Sequence, residues 1–240
     1  MDRNFASEAA RRTVQRNRPW SRITPRTIED GLNCKVDFKL SLPPGDFAAY
    51  LFDCDGTIVD SMPLHYLAWR DTLAQWGCPF PEERHYKLGG MPIVQIVQML
   101  ADEHGIVMPA LEVSARKEAL YYEYLPKLQA VPEVVEHIEA QHGRIPFAVV
   151  SGSTRESVEL SLKATGLLDK FQTLVCAGDY KKSKPDPEPF LMAAERLGVA
   201  PERCLVFEDT QMGIDAAKAA GMAWVRVPLP WERAAVATPR

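Results

Sequence analysis

The chain has 240 residues, of which 46% are hydrophobic and 25% charged, and its formal net charge is −4. That is the make-up of an ordinary globular protein with room for one large or two modest domains, and it lacks any apolar stretch of transmembrane length. Seven arginines against Asp2 and Glu8 make residues 1–26 basic, so the remaining body is acidic, which speaks against nucleic acid as a partner and suits a site that holds a cation.

The basic arm reads as a solvated tail. The N-terminus carries no signal-peptide hydrophobic region. The five cysteines (34, 54, 78, 176 and 204) are odd in number, widely spaced and without a C-x-x-C pair, as expected of free thiols in a reducing compartment. A cytoplasmic location, no membrane partner and a monomeric state are the expectations.

In chain order, residues 1–46 show little periodicity and end at Pro43-Pro44-Gly45. They are expected to form a mobile extension, with one short strand over 36–42 where Val36, Phe38, Leu40 and Leu42 alternate. The first firm strand runs from Ala48 to Asp53. Residues 61–130 then read as helix throughout. One helix carries Leu64, Leu67, Ala68, Trp69 and Leu73 and closes near Gly77; a second follows Pro92 and stops at Gly105; a third spans 110–125. From 131 onward helices alternate with short apolar strands at 146–150, 172–176, 204–207 and 223–227. Such strands between helices predict a parallel sheet covered on both faces. The domains are therefore an extension (1–46), an α/β core in two pieces (47–60 and 131–240) and a helical insert (61–130).

Chemistry concentrates at the strand ends. Asp53 and Asp55 follow the first strand with one residue between them, so both side chains point the same way at the carboxyl edge, where open α/β sheets bind ligands. Two close carboxylates repel unless a cation or a shared proton separates them, and hard Mg²⁺ prefers oxygen ligands and phosphate. Gly56 permits a sharp turn and Thr57 adds a hydroxyl; the spacing beyond does not continue as a calcium loop. Ser151-Gly152-Ser153-Thr154 opens a helix whose free N–H groups suit phosphate, although a hydroxyl there is ordinarily only an N-cap. Lys184 stands before Pro185-Asp186-Pro187 on a loop stiffened by proline, with an ammonium suited to a transferring phosphoryl group. Glu208 and Asp209 end the 204–207 strand and are candidates for the remaining metal ligands.

The joint order of strand-DxDGT, helical insert, strand-SGS, K-P and strand-ED resembles the haloacid dehalogenase superfamily, in the β-phosphoglucomutase-like and sugar phosphatase branch, over about residues 47–227. The resemblance implies a Rossmann-like, doubly wound parallel sheet with an inserted α-helical cap. It further implies Asp53 as nucleophile through an aspartyl-phosphate, Asp55 as acid and base, and Ser151 and Lys184 holding phosphoryl oxygens. Gly56, Thr57, Gly152 and His65 are implied in phosphate and substrate binding, His65 by placing Asp55 from the first cap helix. Mg²⁺ is implied between Asp53, the Asp55 main-chain carbonyl and Asp209, with Glu208 direct or through water. Dehalogenation does not use the second aspartate, so Asp55 disfavours it.

The implied function is a Mg²⁺-dependent phosphatase for a small phosphorylated metabolite, a sugar phosphate above all. A β-phosphoglucomutase would share these residues; a catalytically silent binding homologue would not need them intact. Mutases of that kind carry a cap arginine for the second phosphate, and Pro92 falls at its place here, with Arg70, Arg84 and Arg116 as the substitutes elsewhere on the cap. Lys87 and Lys117 show nothing in their local sequence to suggest Schiff-base chemistry.

Overall fold

The computed structural model describes residues 39–89, 91–230 and 232–233. The basic arm and residues 36–38 lie outside the described residues.

Five short strands form the sheet: β1 (Ala49–Phe52), β2 (Phe147–Thr154), β3 (Thr173–Ala177), β4 (Cys204–Glu208) and β5 (Ala223–Arg226). Their order is β3-β2-β1-β4-β5 and every pairing is parallel. β1 is central and buried along its whole length, as its apolar, unalternating sequence requires. On one face Phe52, Phe147 and Phe207 pack with α5 (Pro132–Gln141) and α6 (Arg155–Ala164). On the other, Leu51, Val150 and Val206 meet α7 (Glu188–Leu197) and α8 (Gln211–Ala219).

Between β1 and α5 the chain leaves the sheet as four helices: α1 (Met62–Leu73), α2 (Glu82–Lys87), α3 (Ile93–His104) and α4 (Ala110–Tyr124). The short α2 is not apparent from periodicity, since six residues hold too little of a 3.6-residue pattern. Exit and return are stitched together: Asp60 N–H donates to Gln129 O at 2.8 Å and Val131 N–H to Ile58 O at 2.9 Å. The insert has a core of its own around Trp69, Leu73, Ile96, Leu100 and Val113. At its base Leu64, Ala68, Leu120 and Tyr121 belong instead to the core beneath the sheet.

Two expectations need correction. Residues 39–42 form no strand, and the extension does not run as far as residue 46. Leu40 is buried and its carbonyl accepts from His137 Nε2 at 3.2 Å, so the chain already lies on the core there. The cause is packing: Leu40 and Leu42 find an apolar surface beside α5 that a strand pairing would not offer.

Candidate active site

β1 delivers Asp53 to the carboxyl edge, where its N–H is held by Phe207 O of β4 at 2.9 Å. The loop beyond turns back at once, with Ile58 and Val59 N–H groups both donating to Cys54 O, at 2.9 and 3.1 Å. Gly56 sits at φ +86°, and a Cβ there would run into Asp209 Oδ2. The turn therefore demands glycine both for its backbone and for the space beside Asp209.

Lys184 is buried, with its three ammonium protons directed to three acceptors. These are Asp53 Oδ1 at 2.7 Å, Glu208 Oε1 at 2.6 Å and Val150 O at 2.9 Å. The other Glu208 oxygen accepts from Thr210 N–H and Oγ1, both at 2.8 Å. Both Glu208 oxygens are thus engaged: its carboxylate holds Lys184 and the start of α8. Thr57 Oγ1 donates to Asp209 Oδ1 at 3.2 Å, while Asp209 Oδ2 is buried with no hydrogen-bond partner among the described residues. Ser151 is buried, its Oγ accepting from Ser153 N–H at 3.0 Å.

The electrostatics follow from this crowding. Burial pushes the Asp53 carboxyl up to about 8 against the pull of Lys184, with Glu208 and Asp55 adding to the rise. Burial, then the charges of Glu208 and Asp53, drive Asp209 well above the usual carboxylate range. Burial opposes the Lys184 charge, but Asp53 and Glu208 more than offset it and hold its pKa above the ordinary lysine value.

Asp55 faces the other way, towards the insert. Its Oδ1 accepts from Ser61 Oγ at 2.7 Å and from His65 Nε2 at 3.0 Å, and its Oδ2 from Ser153 Oγ at 2.7 Å. Burial alone would raise this carboxyl; His65, Ser61 and Ser153 instead hold it below its ordinary range. Both side-chain oxygens are therefore committed to these three residues, and the main-chain carbonyl is the Asp55 atom that the resemblance assigns to the metal. Lys117 Nζ lies 2.8 Å from His65 Nδ1, and an ammonium can only donate. Nδ1 is then the acceptor and Nε2–H points at Asp55. Burial, with Lys117 adding, keeps the imidazole below its ordinary pKa and hence neutral. His65 stacks on Tyr121 at 3.8 Å between centroids, which fixes the plane of the ring.

Asp53, Asp55, His65, Ser151 and Gly152 line one cleft between the strand ends and the insert, together with Met62, Trp69, His85, Met91, Ile93, Ile96, Lys117 and Ser153. Lys117, Ser153, Ser61 and His85 were not assigned roles from the sequence. For Lys117 a signal existed: it lies on the buried stripe of α4 with Val113, Leu120 and Tyr121. A charge on such a stripe calls for a partner. The arginines considered as phosphate clamps do not line the cleft. Arg84 is paired with Glu103, Arg70 with Asp71, and Arg116 is exposed.

Residues 50–227 match the model of the haloacid dehalogenase-like hydrolases. The chain belongs to that family. This haloacid dehalogenase-like hydrolase is an enzyme of the phosphoric monoester hydrolase type. It is 37% identical over 184 residues to a fructose-1-phosphate phosphatase of Escherichia coli, covering 76% of this chain and 97% of that one. It is 30% identical over 183 residues to a β-phosphoglucomutase of Bacillus subtilis, covering 72% and 80%. Among solved structures, a β-phosphoglucomutase from Clostridium difficile superposes with a TM-score of 0.69 at 26% identity, covering 80% of this chain and 88% of that one. The parallel sheet with an inserted helical cap is the fold of this family.

Proposed function

We propose that this hydrolase is a Mg²⁺-dependent phosphatase for a small sugar phosphate, working through an aspartyl-phosphate on Asp53. The observation that carries the reading is the division of labour between the two carboxylates. Asp53 is held by the Lys184 ammonium, while Asp55, two residues on, is held by Ser61, Ser153 and a neutral His65.

Asp53 attacks phosphorus as its carboxylate; the new O–P bond forms as the ester O–P bond breaks, and the departing alkoxide takes from Asp55 a proton that this carboxylate, ionised before substrate binds, receives from the incoming phosphate monoanion. Water then attacks the phosphorus of the aspartyl-phosphate, its proton passes to Asp55, and inorganic phosphate leaves with Asp53 restored. Lys184 offsets the charge of nucleophile and phosphoryl group, and Ser151, Gly152, Gly56 and Thr57 form the polar turns beside it.

The residues suit a divalent cation. Asp209 Oδ2 is an orphaned buried oxygen, and a Cβ at Gly56 would fill the space beside it. Among the described residues no three His, Cys, Asp or Glu side chains group as a complete site. Mg²⁺ also takes main-chain, water and phosphate oxygens as ligands. Asp53, Asp209 and the Asp55 carbonyl would hold the ion, which when bound screens the phosphoryl charge.

The mutase reading is the second one, since mutases share the strand-end residues. What favours hydrolysis is the cap: Pro92 precedes α3, and the one cation lining the cleft among the described residues, Lys117, is engaged by His65 and Glu118. A bisphosphate then has no dedicated clamp for its second phosphate. The test is phosphate release from a panel of hexose and pentose monophosphates, including the fructose 1-phosphate for which the E. coli relative is named, with Mg²⁺ and after chelation. Metal-dependent release is expected. Formation of glucose 6-phosphate from β-glucose 1-phosphate and catalytic bisphosphate, faster than phosphate release, would overturn it in favour of the mutase.

A further inference from the structure

The cap side of the cleft is mostly apolar: Met62, Trp69, Leu88, Met91, Ile93 and Ile96. Four cap residues there carry side-chain nitrogen, Trp69, His65, Lys117 and His85, and the Trp69 indole can only donate. His65 has both ring nitrogens engaged, and Lys117 offers no acceptor. His85, on α2, places Nε2 at 3.0 Å from the Met62 carbonyl. A carbonyl only accepts, so Nε2 carries the proton and Nδ1 is left with a lone pair. Nδ1 makes no hydrogen bond among the described residues, although the residue is only 5% exposed. The rings of Tyr66, Phe80 and Tyr86, with centroids at 5.9, 6.2 and 5.1 Å, pack around the imidazole and hold it in place.

From this geometry we infer that His85 Nδ1 accepts a hydrogen bond from a hydroxyl of the substrate's sugar and is a specificity-determining residue of this enzyme. The inference rests on the sugar-phosphatase reading above and deepens it. An acceptor set in an apolar wall selects a hydroxyl donor over hydrogen or a methyl group, because each unmatched partner loses its hydrogen bond to water without replacement. Burial, with His65 and the Lys117 ammonium close by, pushes the His85 imidazole down to about 3, so it adds no positive charge to this wall. The wall therefore suits the neutral polyol end of a monophosphate rather than a second phosphate.

The experiment compares His85→Phe with the wild-type enzyme on p-nitrophenyl phosphate, on the best sugar phosphate of the panel, and on its singly deoxygenated analogues. Phenylalanine keeps the ring and removes the acceptor. We expect kcat/KM for the sugar phosphate to fall about tenfold or more while that for p-nitrophenyl phosphate stays within about twofold. For one deoxy analogue, wild type and variant should be equal, which identifies the hydroxyl. Where His85→Phe is too unstable to assay, His85→Leu, which likewise offers no acceptor, carries the same expectation. Equal losses on both substrate types, or no loss on the sugar phosphate, would overturn the inference alone. A wild-type enzyme that hydrolyses p-nitrophenyl phosphate but no sugar phosphate would overturn the functional reading, and the inference with it.

Discussion

Two buried lysines stand on either side of the Asp53–Asp55 loop, one in the core and one in the cap, and their surroundings differ in kind. Lys184, in the core, gives its protons to two carboxylates and a main-chain carbonyl. Lys117, in the cap, meets one imidazole and one carboxylate, with the rings of Trp69 and Tyr121 at 5.8 and 5.3 Å from its nitrogen. The core lysine neutralises the proposed nucleophile, Asp53, and its neighbour Glu208. The cap lysine reaches the chemistry only through His65, by deciding which ring nitrogen carries the proton that points at Asp55. The comparison teaches that the core of this enzyme supplies charge and the insert supplies orientation. Core substitutions should therefore abolish turnover or stability, and cap substitutions should grade it.

The largest effect is expected at Asp53. Asp53→Asn removes the nucleophile at nearly constant shape, so turnover should drop by about 10⁴-fold or more with the melting temperature preserved. A pure sample retaining a tenth of wild-type phosphatase activity would break the assignment. Asp55→Asn comes next, and its loss should depend on the leaving group: severe for sugar phosphates, whose alkoxide needs a proton, and milder for p-nitrophenyl phosphate. Equal losses on the two substrates would deny it the acid role.

The lysines themselves give the sharpest contrast. Lys184→Met strands Asp53 and Glu208 without a counter-charge, and a broken buried pair costs about 3–5 kcal/mol, so chemical denaturation should show a markedly lower midpoint. Lys117→Met should unfold at nearly the wild-type denaturant concentration yet lose about 10–100-fold in kcat, the scale on which supporting partners of a functional imidazole act. Matching stability losses for the two variants would erase the distinction between charge and orientation. The smallest change is Tyr121→Phe. It removes one hydroxyl that bonds Ser161 Oγ at 2.8 Å between cap and core, worth about 1 kcal/mol. The melting temperature should shift slightly, and the ring that stacks on His65 remains, so kcat should stay near wild type. A large loss of kcat would make that tether part of cap positioning.

Much of the core side of the site was legible because its logic is local. Apolar runs of four or five residues form strands, parallel pairing brings their carboxyl ends together, and whatever follows each strand shares one edge. Asp53, Ser151, Lys184 and Asp209 needed no more than that. The commitments of their side chains were not legible. Glu208 reads as a free carboxylate until Lys184 and Thr210 are seen to occupy both its oxygens. The direction of Asp55 likewise depends on Ser61, His65 and Ser153, which reach it from three different segments.

The cap was legible as helical but not as a surface. Which face of α2 or α4 turns towards the cleft depends on how four helices pack, and a single polar residue among apolar ones does not say whether it meets solvent, a partner or a ligand. Sequence by itself determined the α/β order, the position of the insert and which side chains follow the strand ends, because strand periodicity and strand-end motifs act over a few residues. Only the tertiary structure decided that Lys117 sets the His65 tautomer, that His85 Nδ1 has no hydrogen-bond partner among the described residues and that Leu40 is already core, because burial depends on neighbours that the chain brings together from distant positions.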